Sequence, residues 1–291
     1  MGFADKFKAL FKPTKCDVQA RFEILKEAIS GTMSKFYKAR DRELEKVVGL
    51  KVCDFDKTEF FENRFTGLEK PQEGEIAEQF DHPLIVKTLE HGTTTEDEQY
   101  LVMEYLPGKG LNSLIKTKSE SLAGNRLSLC RDMATALAAV HDAKFIHRDV
   151  CPRNFICNKD ASSLKLIDFG LTVPATKAFM QPGNRTGTPN YMAPEIVRRK
   201  TTDQRLDIFA FGVTAFQMTT FELPWGGGDV TGKAALSHDT KPPTDIFSLY
   251  PKLNPELGNA IMKCISMRAE DRFPSFNTFL DTIRKVQSDE A

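Results

Sequence analysis

The apolar positions of this chain fall into a few distinct patterns, each of which predicts an element. Phe3, Phe7, Leu10 and Phe11 share one helical face, with Lys6, Lys8, Lys12 and Lys15 elsewhere, and Pro13 stops the pattern. Phe22-Glu23-Ile24-Leu25 and Phe36-Tyr37-Lys38-Ala39-Arg40-Asp41 read as the first two strands of a sheet, and Gln99-Tyr100-Leu101-Val102-Met103 as a later one. From Pro71 to Phe80 the period is helical. Glu73 shares a face with Ile76, Ala77 and Phe80, which must point inward, whereas Glu75, Glu78, Gln79 and His82 form a solvated stripe. Pro71 suits the first turn of that helix, and Gly74 weakens it by about 1 kcal/mol relative to Ala. Leu164-Lys165-Leu166-Ile167 predicts a short strand ending at Asp168, and Asp207-Ile208-Phe209-Ala210-Phe211-Gly212 is apolar on nearly every face, the pattern of a buried helix.

Composition narrows the picture. The 291 residues suffice for one two-lobed unit with an ample core, and Lys+Arg balance Asp+Glu at 40 each, so no bulk field points to nucleic acid. No apolar run is long enough to span a bilayer and no signal peptide is evident. Six cysteines without C-x-x-C spacing suit a reduced, cytoplasmic chain. The basic N-terminal pattern, about three turns long, is short for a membrane contact. It is expected to pack against the body of the protein or to stay disordered. Gly2 does not make a myristoylation site, because Lys6 stands where Ser or Thr is needed.

The candidate chemistry lies in the second half. In His147-Arg148-Asp149-Val150-Cys151-Pro152-Arg153-Asn154 an acid precedes an amide by five positions, and Asp168-Phe169-Gly170 follows. A carboxylate such as Asp149 accepts a proton from a hydroxyl, while the Asn154 amide and the Asp168 carboxylate are the hard oxygen ligands that magnesium prefers. Gly187-Thr188-Pro189-Asn190-Tyr191-Met192-Ala193-Pro194-Glu195 comes next, then Arg272 in Glu270-Asp271-Arg272-Phe273-Pro274; upstream stands Val48-Gly49-Leu50-Lys51. In this order and spacing the set resembles the protein kinases over about residues 22 to 286, with the eukaryotic-like Ser/Thr kinases of bacteria as nearest kin.

The resemblance implies an α+β, two-lobed protein kinase fold: a small antiparallel β-sheet lobe with one regulatory helix, and a larger, mainly helical lobe. An N-terminal segment 1–21 would precede the small lobe (22–103), a hinge (104–107), the large lobe (108–286) and a tail (287–291), with Ile283 to Val286 in the last helix. It further implies ATP and Mg²⁺, with Mn²⁺ as a substitute. Asp149 would orient and deprotonate the acceptor hydroxyl, Asn154 and Asp168 would hold the metal, and Lys51 would contact the α- and β-phosphates, held by Glu73 rather than Glu75. Nucleotide contacts would come from Ile29, Gly31, Ser34, Phe36, Gly49, Lys51, Met103, Glu104, Leu106 and Ile156. Glu195 and Arg272 would form a structural ion pair. Arg148 marks kinases ordered by activation-loop phosphorylation; Thr172, Thr176 and Thr186 are the hydroxyls available, with Thr186 chosen because Asn184 occupies the usual phosphosite. Thr188 would hydrogen-bond Asp149.

The chain departs from the family pattern in three places. Ile29-Ser30-Gly31-Thr32-Met33-Ser34 keeps only the middle glycine of the phosphate loop, which predicts weakened ATP affinity. Phe36 and Gly49 stand where Val and Ala are usual, so the roof over the adenine keeps its volume and changes shape, or the strands have merely drifted. Cys151 replaces the lysine that neutralises the γ-phosphate, and Arg153 stands where many tyrosine kinases place an arginine for this work. Cys151 itself is either a reactive thiol beside a cationic site or a small filler. A Ser/Thr protein kinase is the expected function. The rivals are a pseudokinase serving as a nucleotide- or protein-binding scaffold, a tyrosine or dual-specificity kinase, and a small-molecule phosphotransferase. The protein substrate, the upstream signal and the oligomeric state are not written in the sequence.

Overall fold

A computed structural model describes residues 15–27, 34–65, 67–182, 186–226 and 234–291. The chain divides into two compact units. One comprises residues 1–67, 74–81 and 87–106; the other comprises 68–73, 82–86 and 107–291. The N-terminal pattern through Thr14, the phosphate-loop residues Ile29 and Gly31, and Asn184 lie outside the described residues.

In the smaller unit β1 (Phe22–Glu27), β2 (Ser34–Asp41), β3 (Lys46–Cys53), β4 (Thr88–Thr93) and β5 (Gln99–Glu104) form one antiparallel sheet in the order β1-β2-β3-β5-β4. The period of two sorts its side chains. Phe22, Ala39, Val48, Leu50, Tyr100 and Val102 pack together as the core of one face. Phe36, Gly49, Lys51, Leu101 and Met103 alternate with them and take the other face, with Phe36 opposite Lys51 and Gly49 opposite Met103.

The folded body begins upstream of Phe22. The Cys16 amide donates to the Thr93 carbonyl at 3.0 Å, and the Thr95 amide returns the bond to Cys16 at 3.0 Å. A short helix, α1 (Val18–Arg21), follows, capped by the Asp17 side chain. Its last residue, Arg21, forks onto Asp41 (2.9 and 3.2 Å) and onto Glu90 (2.7 and 2.8 Å), and the Tyr100 hydroxyl donates to Glu90 at 2.6 Å. Hydrogen bonds from Arg21 hold the Glu90 carboxyl below its ordinary range against the cost of burial.

The expected helix at 71–80 is shorter than its pattern. Helix α2 (Phe55–Glu62) precedes it, and α3 covers only Glu73–Ala77, leaving Pro71 outside. Gly74 explains both the residue choice and the weak helix: a Cβ there would lie 2.4 Å from the His91 side chain, so the close approach of β4 excludes one.

The larger unit contains α4 (Leu111–Lys116), α5 (Arg126–Asp142), α6 (Pro194–Val197), α7 (Arg205–Thr220), α8 (Ala234–Ser237), α9 (Ile246–Leu249), α10 (Pro255–Cys264) and α11 (Phe276–Thr282). Helix α7 is buried on every side from Leu206 to Phe216, as its apolar pattern requires. Leu164–Leu166 is a strand, paired with Phe155–Cys157 and bonded through Leu166 to Leu84 and Val86. Ile283 and Val286 lie beyond α11, in a turn rather than in the expected last helix. Arg131 donates to both of their carbonyls (2.8 and 2.7 Å) and both side chains are buried, which fixes the turn. Nor is 287–291 loose: Asp289 is 2% exposed, paired with Arg126, and its carbonyl accepts from Asn254. No helix among the described residues is long and apolar enough to cross a membrane.

Candidate active site

The site in the larger unit starts from a buried carboxylate. Asp207, at the head of α7 and fully buried, accepts the backbone amides of His147 and Arg148 at 2.8 Å each and a bond from His141 at 2.9 Å. Burial alone would raise its pKa; the His141 contact and the neighbouring amides hold it down instead. Arg148 sits at φ +67°, a conformation that non-glycine residues adopt only where their surroundings fix it. Its guanidinium is buried, pulled down to about 10 by desolvation, and donates to the Phe179 carbonyl at 3.3 Å. Both contacts shape the backbone entering Asp149.

Four donors converge on the Asp149 carboxylate. The Thr188 hydroxyl and amide reach one oxygen at 2.7 and 3.0 Å; Arg153 and the Asn154 side-chain amide reach the other at 2.9 and 3.1 Å. Gly187 makes the approach of Thr188 feasible: it has φ +123°, and a Cβ there would lie 2.9 Å from the Arg148 carbonyl. The expected bond between Thr188 and Asp149 is therefore present.

Asn154 Nδ2 also donates to the Asp149 carbonyl at 2.7 Å, which commits its nitrogen and leaves its side-chain oxygen as the atom that could ligate a metal. Asp168, half-buried, accepts from the Gly170 amide at 3.0 Å. An amide oxygen plus a carboxylate is a hard donor pair that suits Mg²⁺ once phosphate oxygens complete the shell. No cluster of three or more His, Cys, Asp or Glu side chains suited to a metal occurs among the described residues. Glu73 is buried and accepts from the Phe169 amide at 3.4 Å, whereas Glu75 is exposed, as the helical faces required.

Cys151 is buried, its Sγ 3.7 Å from the Thr188 hydroxyl, and burial with the Asp149 charge pushes the thiol up to about 12. That environment disfavours thiolate and fits the filler reading. Of the six cysteines only Cys16 is not buried. Titration of the native chain with an aromatic disulfide reagent is expected to find about one thiol, and all six after denaturation; fast reaction at Cys151 would contradict the buried geometry.

Among the three candidate hydroxyls of the activation segment, Thr176 is exposed. Thr172 and Thr186 are buried, and the Thr186 hydroxyl has no hydrogen-bond partner among the described residues. Glu195 and Arg272 meet at 2.7 and 2.9 Å in a bidentate pair.

In the smaller unit the Lys51 ammonium stands 5.1 Å from the centre of the Phe36 ring, its cross-strand partner, within cation–π range. Gly49 is not dictated by crowding: a Cβ there would make ordinary contacts at 3.6 Å or more to Glu104 and Met103. Ser34 and Met103 are buried; Glu104 and Leu106 are half-buried, as is Ile156 of the larger unit. The Glu104 amide is engaged with the Lys87 carbonyl at 3.0 Å.

The sequence profile of the protein kinase domain matches residues 22–282. The chain belongs to the protein kinase domain family. Among curated relatives, this kinase domain is 29% identical over 273 residues to a probable serine/threonine-protein kinase of Clostridium perfringens, covering 92% of this chain and 38% of the relative. It is 28% identical over 265 residues to the serine/threonine-protein kinase PknB of Mycolicibacterium smegmatis, covering 87% and 41%. It is 27% identical over 265 residues to the serine/threonine-protein kinase PrkC of Bacillus subtilis, covering 91% and 40%. The kinase domain thus spans less than half the length of these relatives.

Sequence reasoning missed Asp207 as a contributor to the site. The available signal was a lone carboxylate opening an otherwise apolar helix, where a charge is costly unless it is bonded.

Proposed function

We propose that this kinase domain transfers the γ-phosphate of ATP to Ser or Thr hydroxyls of a protein substrate, its own activation segment included. The observation that carries the reading is the grip of Thr188 on Asp149. Thr188, in the segment that would shape the acceptor site, bonds the carboxylate that would take the hydroxyl proton, and Asn154 bonds the same carboxylate. The relatives' names as Ser/Thr protein kinases support it and give the pseudokinase reading no support.

In this mechanism Asp149 accepts the proton as the acceptor oxygen attacks phosphorus in line with the departing diphosphate. Mg²⁺, or Mn²⁺ in its place, held by Asn154 and Asp168, would offset charge on the phosphate oxygens. Lys51 would bind the α- and β-phosphates, with the Phe36 ring limiting where its ammonium swings and Glu73 as its carboxylate. Arg153, whose side chain is half exposed and 2.9 Å from Asp149, would supply the positive charge at the γ-phosphate that Cys151 cannot. The Ser/Thr-type segment at Gly187–Glu195 favours Ser/Thr over Tyr as acceptor. Buried Thr186 would have to leave its present position before becoming a phosphosite. Six free thiols, five of them buried, suit a reducing, cytoplasmic setting.

The test is incorporation of labelled phosphate from ATP with Mg²⁺ into the chain and a generic basic protein, with the modified residues mapped. Arg153→Ala is expected to lower the rate by about 10²–10³ with ATP affinity nearly unchanged, the usual loss for one preorganised transition-state contact. A rate within about threefold of wild type would assign the γ-phosphate charge to another group.

A further inference from the structure

The sheet buries Lys51 between two apolar neighbours. Lys51 is 3% exposed, and it faces Phe36 across β2 on one side and Leu101 across β5 on the other. An ammonium so far from water is costly to hold unless its surroundings answer its charge. Leu101 has nothing to offer it. The Phe36 ring does, because the face of an aromatic ring is negative and the ammonium lies 5.1 Å from its centre. A valine at position 36 would fill space and leave the charge unanswered.

The same geometry separates the two readings of Phe36 and Gly49. A ring that made up for the methyl missing at Gly49 would crowd that position. The three atoms nearest a Cβ there belong instead to Glu104 and Met103, at 3.6 to 3.9 Å. Room for a methyl remains beside Gly49, and the bulk gained at Phe36 is directed at Lys51.

We propose that Phe36 is a positioning residue for nucleotide binding: its ring holds the Lys51 ammonium in place and so favours nucleotides that carry phosphates over the bare nucleoside. Lysine is among the side chains with most rotamer freedom to lose, and a ring that restrains it beforehand reduces that loss on binding. The inference rests on the phosphate role given to Lys51 above and adds a residue that acts only through it.

Titration of the full chain with ATP and with adenosine, both in Mg²⁺, tests this through the ratio of the two affinities. Phe36→Leu is expected to lower ATP affinity about tenfold and adenosine affinity less than about threefold, while Phe36→Tyr, which keeps a ring, stays within about threefold of wild type for both. The retained adenosine affinity also reports an intact fold. Lys51→Met should lower the same ratio, and adding Phe36→Leu to it should lower it no further, since the ring then has no ammonium to hold. Equal losses of ATP and adenosine in Phe36→Leu would overturn the proposal and make Phe36 a base contact or a packing residue. So would a Phe36→Tyr variant that behaves like Phe36→Leu, or a ratio that falls in Lys51→Met and not in Phe36→Leu. A ratio unchanged in Lys51→Met would take Lys51 itself off the phosphates, and the proposed mechanism would lose that step together with this inference.

Discussion

Asp149→Asn is expected to lower the rate of phosphate transfer by about 10²–10⁴, the range associated with removing a general base. Asn keeps the volume of the side chain and one oxygen to accept from Thr188, whose hydroxyl and amide bond Asp149 at 2.7 and 3.0 Å. The second carboxylate oxygen becomes either an NH₂ facing Arg153 and Asn154, both donors, or the amide flips and faces Thr188 with its nitrogen. Either way the proton acceptor is gone and two donors face an NH₂, Arg153 and Asn154 in one orientation and the Thr188 hydroxyl and amide in the other. Nucleotide affinity should stay within about threefold, because Asp149 takes the acceptor proton and leaves the phosphates to other groups. Initial rates with labelled ATP, beside a titration with a non-hydrolysable analogue, separate the two quantities. A variant retaining more than about a tenth of the wild-type rate would remove Asp149 from the role of base.

Glu195→Ala should produce the largest loss of stability, about 3–5 kcal/mol, because it strands a buried charge. The Arg272 side chain has no exposed surface. Its guanidinium also donates to the carbonyls of Ser266 (2.8 Å), Met267 (3.0 Å) and Arg205 (3.2 Å), and lies 4.8 Å from the centre of the Phe209 ring. Those bonds fix the guanidinium without neutralising it; Glu195 is its ion-pair partner among the described residues, with Asp203 acting at longer range. Arg272→Ala removes the charge but orphans three carbonyls, so it too should destabilise, and adding it to Glu195→Ala should cost less than it does alone. Urea unfolding of the two single variants and the double measures this. Additive losses, or a Glu195→Ala cost below about 1 kcal/mol, would show the pair to be incidental to the fold.

The sequence was most informative where the chemistry is local. Asp149 and Asn154 are five positions apart and face one another in the structure, and the helical face on which Glu73 sits separated it from exposed Glu75. Glu195 and Arg272 are far apart in sequence, and only the family pattern joined them. Contacts that no pattern encodes stayed hidden. Arg21 tying Asp41 to Glu90, Gly74 yielding to His91, and Arg126 meeting Asp289 across 163 residues depend on where the chain returns, which neither periodicity nor propensity specifies. The end of α11 was misjudged for the same reason: Ile283 and Val286 have helical spacing, but Arg131 takes their carbonyls in a turn.

The carboxylate of Asp207 makes the shape of the catalytic loop a property of a residue 60 positions downstream. A graft of residues 147–154 onto another scaffold would carry the reactive groups and leave their geometry behind. Conversely, Cys151 and Arg153 lie off the two amides that Asp207 holds. The half-exposed side chain of Arg153 leaves room for other residues there, whereas Cys151 is buried against the Thr188 hydroxyl and tolerates only small ones. The loop is thus portable as chemistry only together with the head of the buried helix, and a designer retuning its charge should work at 153 and leave 151 and 207 untouched.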